Sequence, residues 1–399
     1  MQTTRPECRR PQGGLVSTTR PHRLIGGLAA VVGVLGLLSP GSVSAQVTPA
    51  SGYTPPDDTP SIKIGTTIFT GYTYQDEPTT LDADGNTINP SSWDVTRAYI
   101  NVTGNISHRV SFRVTPDVTR MSTTTKTTGL GVGETVTTST SADGSLIFRL
   151  KYAYGQFNLD EAWSKGSWVR LGQHHTPYID WEEGIYRYRF QGQIFVEREG
   201  FMSSADVGLS THYNFPGNYG DVHVGYYNGD TYTKLEPNDQ KAIQIRASLR
   251  PAPEVAVLKG LRVTAFYDAD NYIKSDPRNR LIYALTFEHK YVNAGFEHLN
   301  STDQPTGASG LIRAEGYSIW ATPRSPRGWE GLLRYDHLKP DTDNPDVKTR
   351  KIAGVAYWFR SQQASVTSAL LVDYENVTYD SGLAKPDEKR YALHALFNY

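Results

Sequence analysis

Nine basic side chains recur on alternate positions of short strand-like segments: Arg97, Arg109, Arg113, Arg149, Lys151, Arg170, Arg246, Arg250 and Arg262. Successive side chains of an extended chain point to opposite faces, so such spacing gathers the cations on one face. Cations along a low-dielectric wall concentrate anions, and rings of Arg or Lys around a passage select anions or phosphate. Glu288, Glu297, Asp373 and Glu375 fall on the same face of later segments. Pairing across neighbouring strands is the plain structural role open to all these charges.

A second group lies in the segment from Thr176 to Ala205, which carries Asp180, Glu182, Glu183, Arg187, Arg189, Glu197, Arg198 and Glu199. Opposed acids and bases in one loop set up a transverse field. In an extended stretch Arg187 and Arg189 share a side and could grip an oxyanion through charge-assisted hydrogen bonds. A surface loop laced with ion pairs is an equal reading of the same residues. His174 and His175, near Asp180, Glu182 and Glu183, invite a metal reading. Adjacent strand residues face opposite ways, so the two imidazoles would share an ion only across a bulge, and no metal is assigned. No nucleophile elbow, zincin motif or phosphate-binding glycine loop is present, so no catalytic residue and no cofactor is expected.

The elements that position these residues follow from a period of two. Ile62, Ile64, Ile68, Tyr72 and Tyr74 share one parity against Lys63, Gly65, Thr67 and Gly71. Ala98, Ile100, Val102 and Ile106 oppose Arg97, Tyr99, Asn101 and Thr103, and Val110, Phe112 and Val114 oppose Arg109, Ser111, Arg113 and Thr115. Leu146, Phe148, Leu150, Tyr152 and Tyr154 are expected to face away from Arg149 and Lys151, as Val169 and Leu171 do from Arg170. Ile243, Ile245, Ala247 and Leu249 alternate with Gln244, Arg246, Ser248 and Arg250. About 16 such segments run to the C-terminus, an even number that returns both ends to one side of a closed antiparallel barrel. Connections alternate in length: Asn105 to His108, Pro216 to Gly220 and Ser361-Gln362-Gln363 are short, whereas Thr119 to Asp143 and Thr176 to Ala205 are long.

Lipid satisfies no backbone N–H or C=O, so a sheet that spans it must close on itself and show apolar side chains outward. A barrel of about 16 strands is too wide for its own side chains to fill and encloses water. The expected fold is therefore all-β, a transmembrane antiparallel barrel over residues 61–399 with short periplasmic turns and long extracellular loops. Tyr152 and Tyr154, Tyr213 and Phe215, Tyr226 and Tyr227, and Trp358 and Phe359 are candidates for interfacial girdles. The high β-propensity of aromatic residues would place them in any sheet.

Composition bounds the function. The chain of 399 residues has a formal net charge of −1 and a mean hydropathy of −0.48. The charge gives no support for nucleic acid as a partner, and the hydropathy excludes a packed helical membrane protein. Arg5, Arg9, Arg10, Arg20 and Arg23 precede the apolar run Leu24 to Leu38, and Val43-Ser44-Ala45 offers a small-residue cleavage site, so residues 1–45 read as a secretory signal peptide. Residues 46–60 read as a flexible leader. The single cysteine, Cys8, falls in the removed segment, leaving the mature chain without thiol chemistry.

The stretch Trp93-Asp94-Val95-Thr96-Arg97-Ala98-Tyr99-Ile100-Asn101-Val102-Thr103-Gly104 with Arg109-Val110-Ser111-Phe112-Arg113-Val114-Thr115-Pro116-Asp117 resembles an early hairpin of the phosphate-selective porin O and P family. Leu171-Gly172-Gln173-His174-His175-Thr176-Pro177-Tyr178 is similar to the strand leading into that family's pore-constricting loop. The final segment, Tyr391 to Tyr399, resembles the C-terminal signature of outer-membrane barrels, with Tyr where Phe is usual. The resemblance spans Ser61 to Tyr399 and implies a homotrimeric general porin of 16 strands whose third long loop folds into the lumen.

What these features imply together is a passive water-filled channel in the bacterial outer membrane. It would admit small hydrophilic solutes and lean toward anions, phosphate among them. The rival readings are a secreted soluble β-protein that binds glycans and an outer-membrane barrel enzyme.

Overall fold

The computed structural model describes residues 58–120, 126–129, 135–138, 145–236, 238–308, 310–359 and 366–399. The leader 1–45 with Cys8, most of 46–60, most of the connection from Thr119 to Asp143, and the turn Ser361-Gln362-Gln363 lie outside the described residues.

Period-two segments form long strands wherever the alternation is present. In chain order they are β1 (Ser61–Glu77), β2 (Ser91–Asn105), β3 (Val110–Arg120), β4 (Leu146–Asn158), β5 (Trp168–His175), β6 (Ala205–Asn214), β7 (Gly220–Tyr227) and β8 (Ala242–Leu249). They continue as β9 (Leu261–Ala269), β10 (Asp276–His289), β11 (Val292–Asp303), β12 (Ile312–Pro323), β13 (Trp329–Lys339), β14 (Lys348–Phe359), β15 (Thr367–Tyr379) and β16 (Glu388–Asn398). Each pairs antiparallel with its sequence neighbours, and β1 pairs with both β2 and β16, so no edge is left open. The result among the described residues is a closed barrel of 16 strands. At the seam Thr66 and Tyr399 exchange two backbone hydrogen bonds of 2.8 Å.

Burial runs opposite to that of a soluble protein. On β8, Ile243, Ile245 and Leu249 are 46%, 41% and 54% exposed, while Arg246 and Ser248 between them are 3% and 1% exposed. The exposed apolar face is the one that a hydrocarbon layer covers.

The parity expected for Tyr152 and Tyr154 is wrong. Thr115 on β3 pairs with Tyr152 and Pro116 pairs with Leu150, so Lys151 is an extra residue bulged out of the ladder. A bulge reverses which face the following residues show, and Pro116, which has no N–H to give, sits where the ladder breaks. Leu146, Phe148 and Leu150 are exposed, whereas Lys151 and Tyr152 are both buried inside and Tyr154 follows them. The girdle pairs are corrected in the same way. Tyr226 and Phe359 face outward, but their neighbours Tyr227 and Trp358 are inside at 0% and 6% exposure.

Candidate functional site

The connection from β5 to β6 enters the barrel. Two short helices organise it, α1 (Ile179–Tyr186) and α2 (Phe195–Arg198). α1 ends where Arg187 adopts a left-handed φ of 67° and its N–H reaches Glu183 O at 2.9 Å. Tyr178, Ile179, Ile185, Tyr186, Tyr188, Phe190, Ile194, Phe195 and Val196 are all within 3% of complete burial. They pack with Phe266, Ile282, Leu299, Trp320, Leu332, Ile352, Trp358 and Leu371 on β9 to β15, and with Phe69 and Tyr99 on β1 and β2. A uniformly wet interior is therefore not what forms: loop and wall share an apolar core across much of the cross-section.

Polar contacts reinforce that seat. Tyr188 OH donates to Glu330 at 3.2 Å, Asn293 Nδ2 to Ile185 O at 2.8 Å, and Arg334 Nη1 to Gln193 O at 2.8 Å. Lys348 and Arg350 hold Glu199 at 2.6 and 2.5 Å. Among the predicted loop residues, Arg187 meets Glu330 at 3.5 Å and lies over the Trp358 ring at 4.3 Å. Arg189 bridges Glu197 at 2.5 Å and Glu183 at 3.1 Å, so the two arginines do not share a target. Arg198 pairs with Glu375. Asp180 is more than half exposed, 3.4 Å from His175. Glu182 is enclosed and accepts from Trp320 Nε1 at 3.2 Å, while Tyr178 OH donates to nearby Glu297 at 3.0 Å. Desolvation pushes the Glu182 carboxyl up from its ordinary value. The same cause, opposed by Arg189 and reinforced by Glu197, pushes Glu183 up to about 7.

The wall basics divide into two sets. Arg149 and Arg97 share buried Asp117 at 2.8 and 3.8 Å. Arg246 pairs with Asp221 and Arg262 with Glu288. Arg109 stands at the short-turn rim, 67% exposed and 2.6 Å from Glu161. The other set has no carboxylate within ion-pair distance among the described residues. Arg113 donates to Asn101 at 2.8 Å and lies over Tyr152 at 4.7 Å. Lys151 is 4% exposed, 3.4 Å from Tyr99 OH. Arg170 donates to Gln156 at 2.8 Å and lies over Trp168 at 3.8 Å. Arg250 donates to Asn218 at 2.9 Å. This second set lies on β3, β4, β5 and just past β8, with Lys151 enclosed and Arg170 and Arg250 across a cleft from the loop. The later acids are inward as well, with Asp373 beside His394 at 3.1 Å and Glu375 shared by Arg198, Arg350 and Arg390.

Between α1 and the wall of β5 to β9 runs a cleft of about 200 Å³, lined by Trp168, Arg170, Asp180, Trp181, His212, Asp221, His223, Arg246 and Arg250, among others. Asp117, Trp168, His212, Asp221 and His223 were missed as site residues. Trp168 has the parity of Arg170, so extending that segment by one step would have found it, whereas nothing local marks the others. Both His174 and His175 are buried, with His174 Nε2 2.6 Å from Ser210 and the His175 ring stacked 3.9 Å from Tyr152. Among the described residues no group of three metal-ligating side chains assembles.

No protein-family model and no curated protein sequence matches the chain. Solved structures do. An anion-selective porin from Comamonas acidovorans superposes with a TM-score of 0.57 at 9% identity, over 86% of this chain and 100% of that one. OmpF of Salmonella typhi, solved with daunomycin, gives 0.55 at 11% identity over 85% and 97%. OmpT of Vibrio cholerae in its trimer form gives 0.51 at 10% identity over 86% and 100%. At such identities the likeness is one of architecture, and the resemblance to the phosphate-selective family gains no sequence match. The fold of this chain is that of the outer-membrane porins.

Proposed function

We propose that the chain is an outer-membrane channel for passive diffusion of small hydrophilic solutes with a preference for anions. The observation that carries this reading is the contrast between the two walls. Arg113, Arg170 and Arg250 have no carboxylate partner among the described residues and stand on the stretch of wall from β3 to β8. Arg280, Arg334 and Arg350, on the stretch from β10 to β14, are matched by Asp303, Asp336 and Glu199. A wall of one sign enriches the opposite ion in the passage beside it. Phosphate belongs to the solutes such a wall would admit. The trimer of the OmpT structure offers the assembly expected here, and the exposed apolar belt supports an outer-membrane location. Removal of residues 1–45 would leave Gln46 as the mature N-terminus, which N-terminal sequencing of the membrane-extracted protein checks.

Planar-bilayer recording tests the function. Purified protein should open ohmic steps, and a potassium chloride gradient should give a reversal potential of the sign set by chloride. A reversal potential of cation sign would remove the anion preference, and a silent bilayer would remove the channel.

A further inference from the structure

The cleft beneath the loop carries more donors than its own residues satisfy. Four guanidinium groups, Arg170, Arg246, Arg250 and Arg262, line it. Three carboxylates face them: Asp221 with Arg246, Glu288 with Arg262, and Asp180 at the loop edge. One cationic charge is left over, and it belongs to Arg170 and Arg250, whose nearest polar partners are the amide oxygens of Gln156 and Asn218. Trp168 Nε1, His223 Nε2 and Arg246 Nη1, on residues at most 5% exposed, have no hydrogen-bond partner. These three atoms are themselves closed off within the wall, and the two guanidiniums without a carboxylate are what the wall leaves for a ligand. On the loop side Pro177, Trp181 and Ile185 form an apolar face, while His212, Asn214 and Asn218 add polar groups to the lining.

We propose that this cleft is a saturable binding site for a small organic monocarboxylate, held by Arg170 and Arg250 with its apolar body against Trp181 and Ile185. Net charge selects a monoanion, since a second negative charge would meet Asp180 and Asp221 without a further cation. Geometry selects a carboxylate. The Arg170 guanidinium lies over the Trp168 ring at 3.8 Å and gives its Nε to Gln156. Its remaining N–H groups form the planar edge that a carboxylate matches with two parallel hydrogen bonds. The inference rests on the channel reading for solute access, but binding itself needs no conduction.

Isothermal calorimetry on the detergent-solubilised full chain, with benzoate and with inorganic phosphate as probes, is the test. Benzoate should bind saturably, and phosphate should bind more weakly at equal concentration. Arg170→Gln and Arg250→Gln remove cations that neutralise no carboxylate, so each should fold, and each should weaken benzoate by roughly tenfold. Arg250→Lys keeps the charge without the fork and should recover only part of the affinity. The site is overturned if folded wild-type protein gives no saturable heat, if phosphate binds as tightly as benzoate, or if folded Gln variants bind as wild type does. Bilayer current without benzoate binding would sink the site and spare the channel. Benzoate binding in a protein that never conducts would do the reverse.

Discussion

Arg198 on α2 places one nitrogen, Nη2, 2.7 Å from Oε1 and 2.6 Å from Oε2 of Glu375 on β15, so a side chain of the loop closes on the far wall of the barrel. Glu375 is shared with Arg350 at 3.2 Å and Arg390 at 2.7 Å. The two ends of this contact are therefore unequal. Glu375→Ala leaves Arg198 without a carboxylate, whereas Arg350 keeps Glu199 and Arg390 keeps Glu388, and breaking a buried pair from one side costs on the order of 3–5 kcal/mol. Arg198→Ala leaves the carboxylate with two partners and should cost less. Thermal unfolding in detergent should rank them so, and an equal loss would show that Arg350 and Arg390 do not compensate.

Phe195 is fully buried where loop and wall meet. Phe195→Ala should destabilise the fold by about 3–5 kcal/mol through the cavity it opens. Gly316 on β12 lies directly beneath it: an added Cβ would stand 2.7 Å from both the Phe195 ring and His337 O. Gly316→Ala should lift the same part of the loop with no change of charge. Both variants should raise open-channel noise in bilayer records, and quiet records would separate loop seating from this packing.

Glu183 makes seating of the loop depend on pH. Its carboxyl, ordinarily near 4.5, is raised to about 7 when buried in place. A group that holds its proton more tightly in the seated state favours that state at low pH and loses the advantage as pH rises through its raised value. Loop-dependent closures should be rarer at about pH 5 than at about pH 8, and Glu183→Gln should flatten the difference. A wild-type channel that gates more at the lower pH would contradict the assignment.

Arg113 keeps its charge without a carboxylate beside Asn101 and Tyr152. Arg113→Glu should move the chloride-to-potassium permeability ratio toward cations by a few-fold, because it reverses one charge that has no carboxylate partner. Arg334→Gln, by comparison, removes a cation already bound to Asp336 at 2.8 Å and should alter stability more than selectivity. If both shifted the ratio equally, the division between the walls would be wrong.

The barrel was legible because alternation is a local property. Ile243 to Arg250 states its two faces in eight consecutive residues, and the structure keeps them. Tyr152 was misplaced because the bulge at Lys151 arises from pairing with Pro116, 35 positions earlier, and leaves no trace in the period of β4 itself. The site was less legible for a related reason. Arg187 and Arg198 read as charges serving the loop itself because their partners, Glu330 and Glu375, lie 143 and 177 positions away. The aromatic residues from Tyr178 to Phe195 have no strict period, so nothing local announced that a polar-looking loop carries an apolar core.

That core divides the labour of the wall. The strands from β10 to β15 carry arginines serving as rivets, while the arginines without a carboxylate on β3 to β8 would serve as electrodes. On the proposed channel reading, the first group would set how wide the gap stays and the second what crosses it. Aperture and polarity would then be alterable by separate substitutions, one without retuning the other.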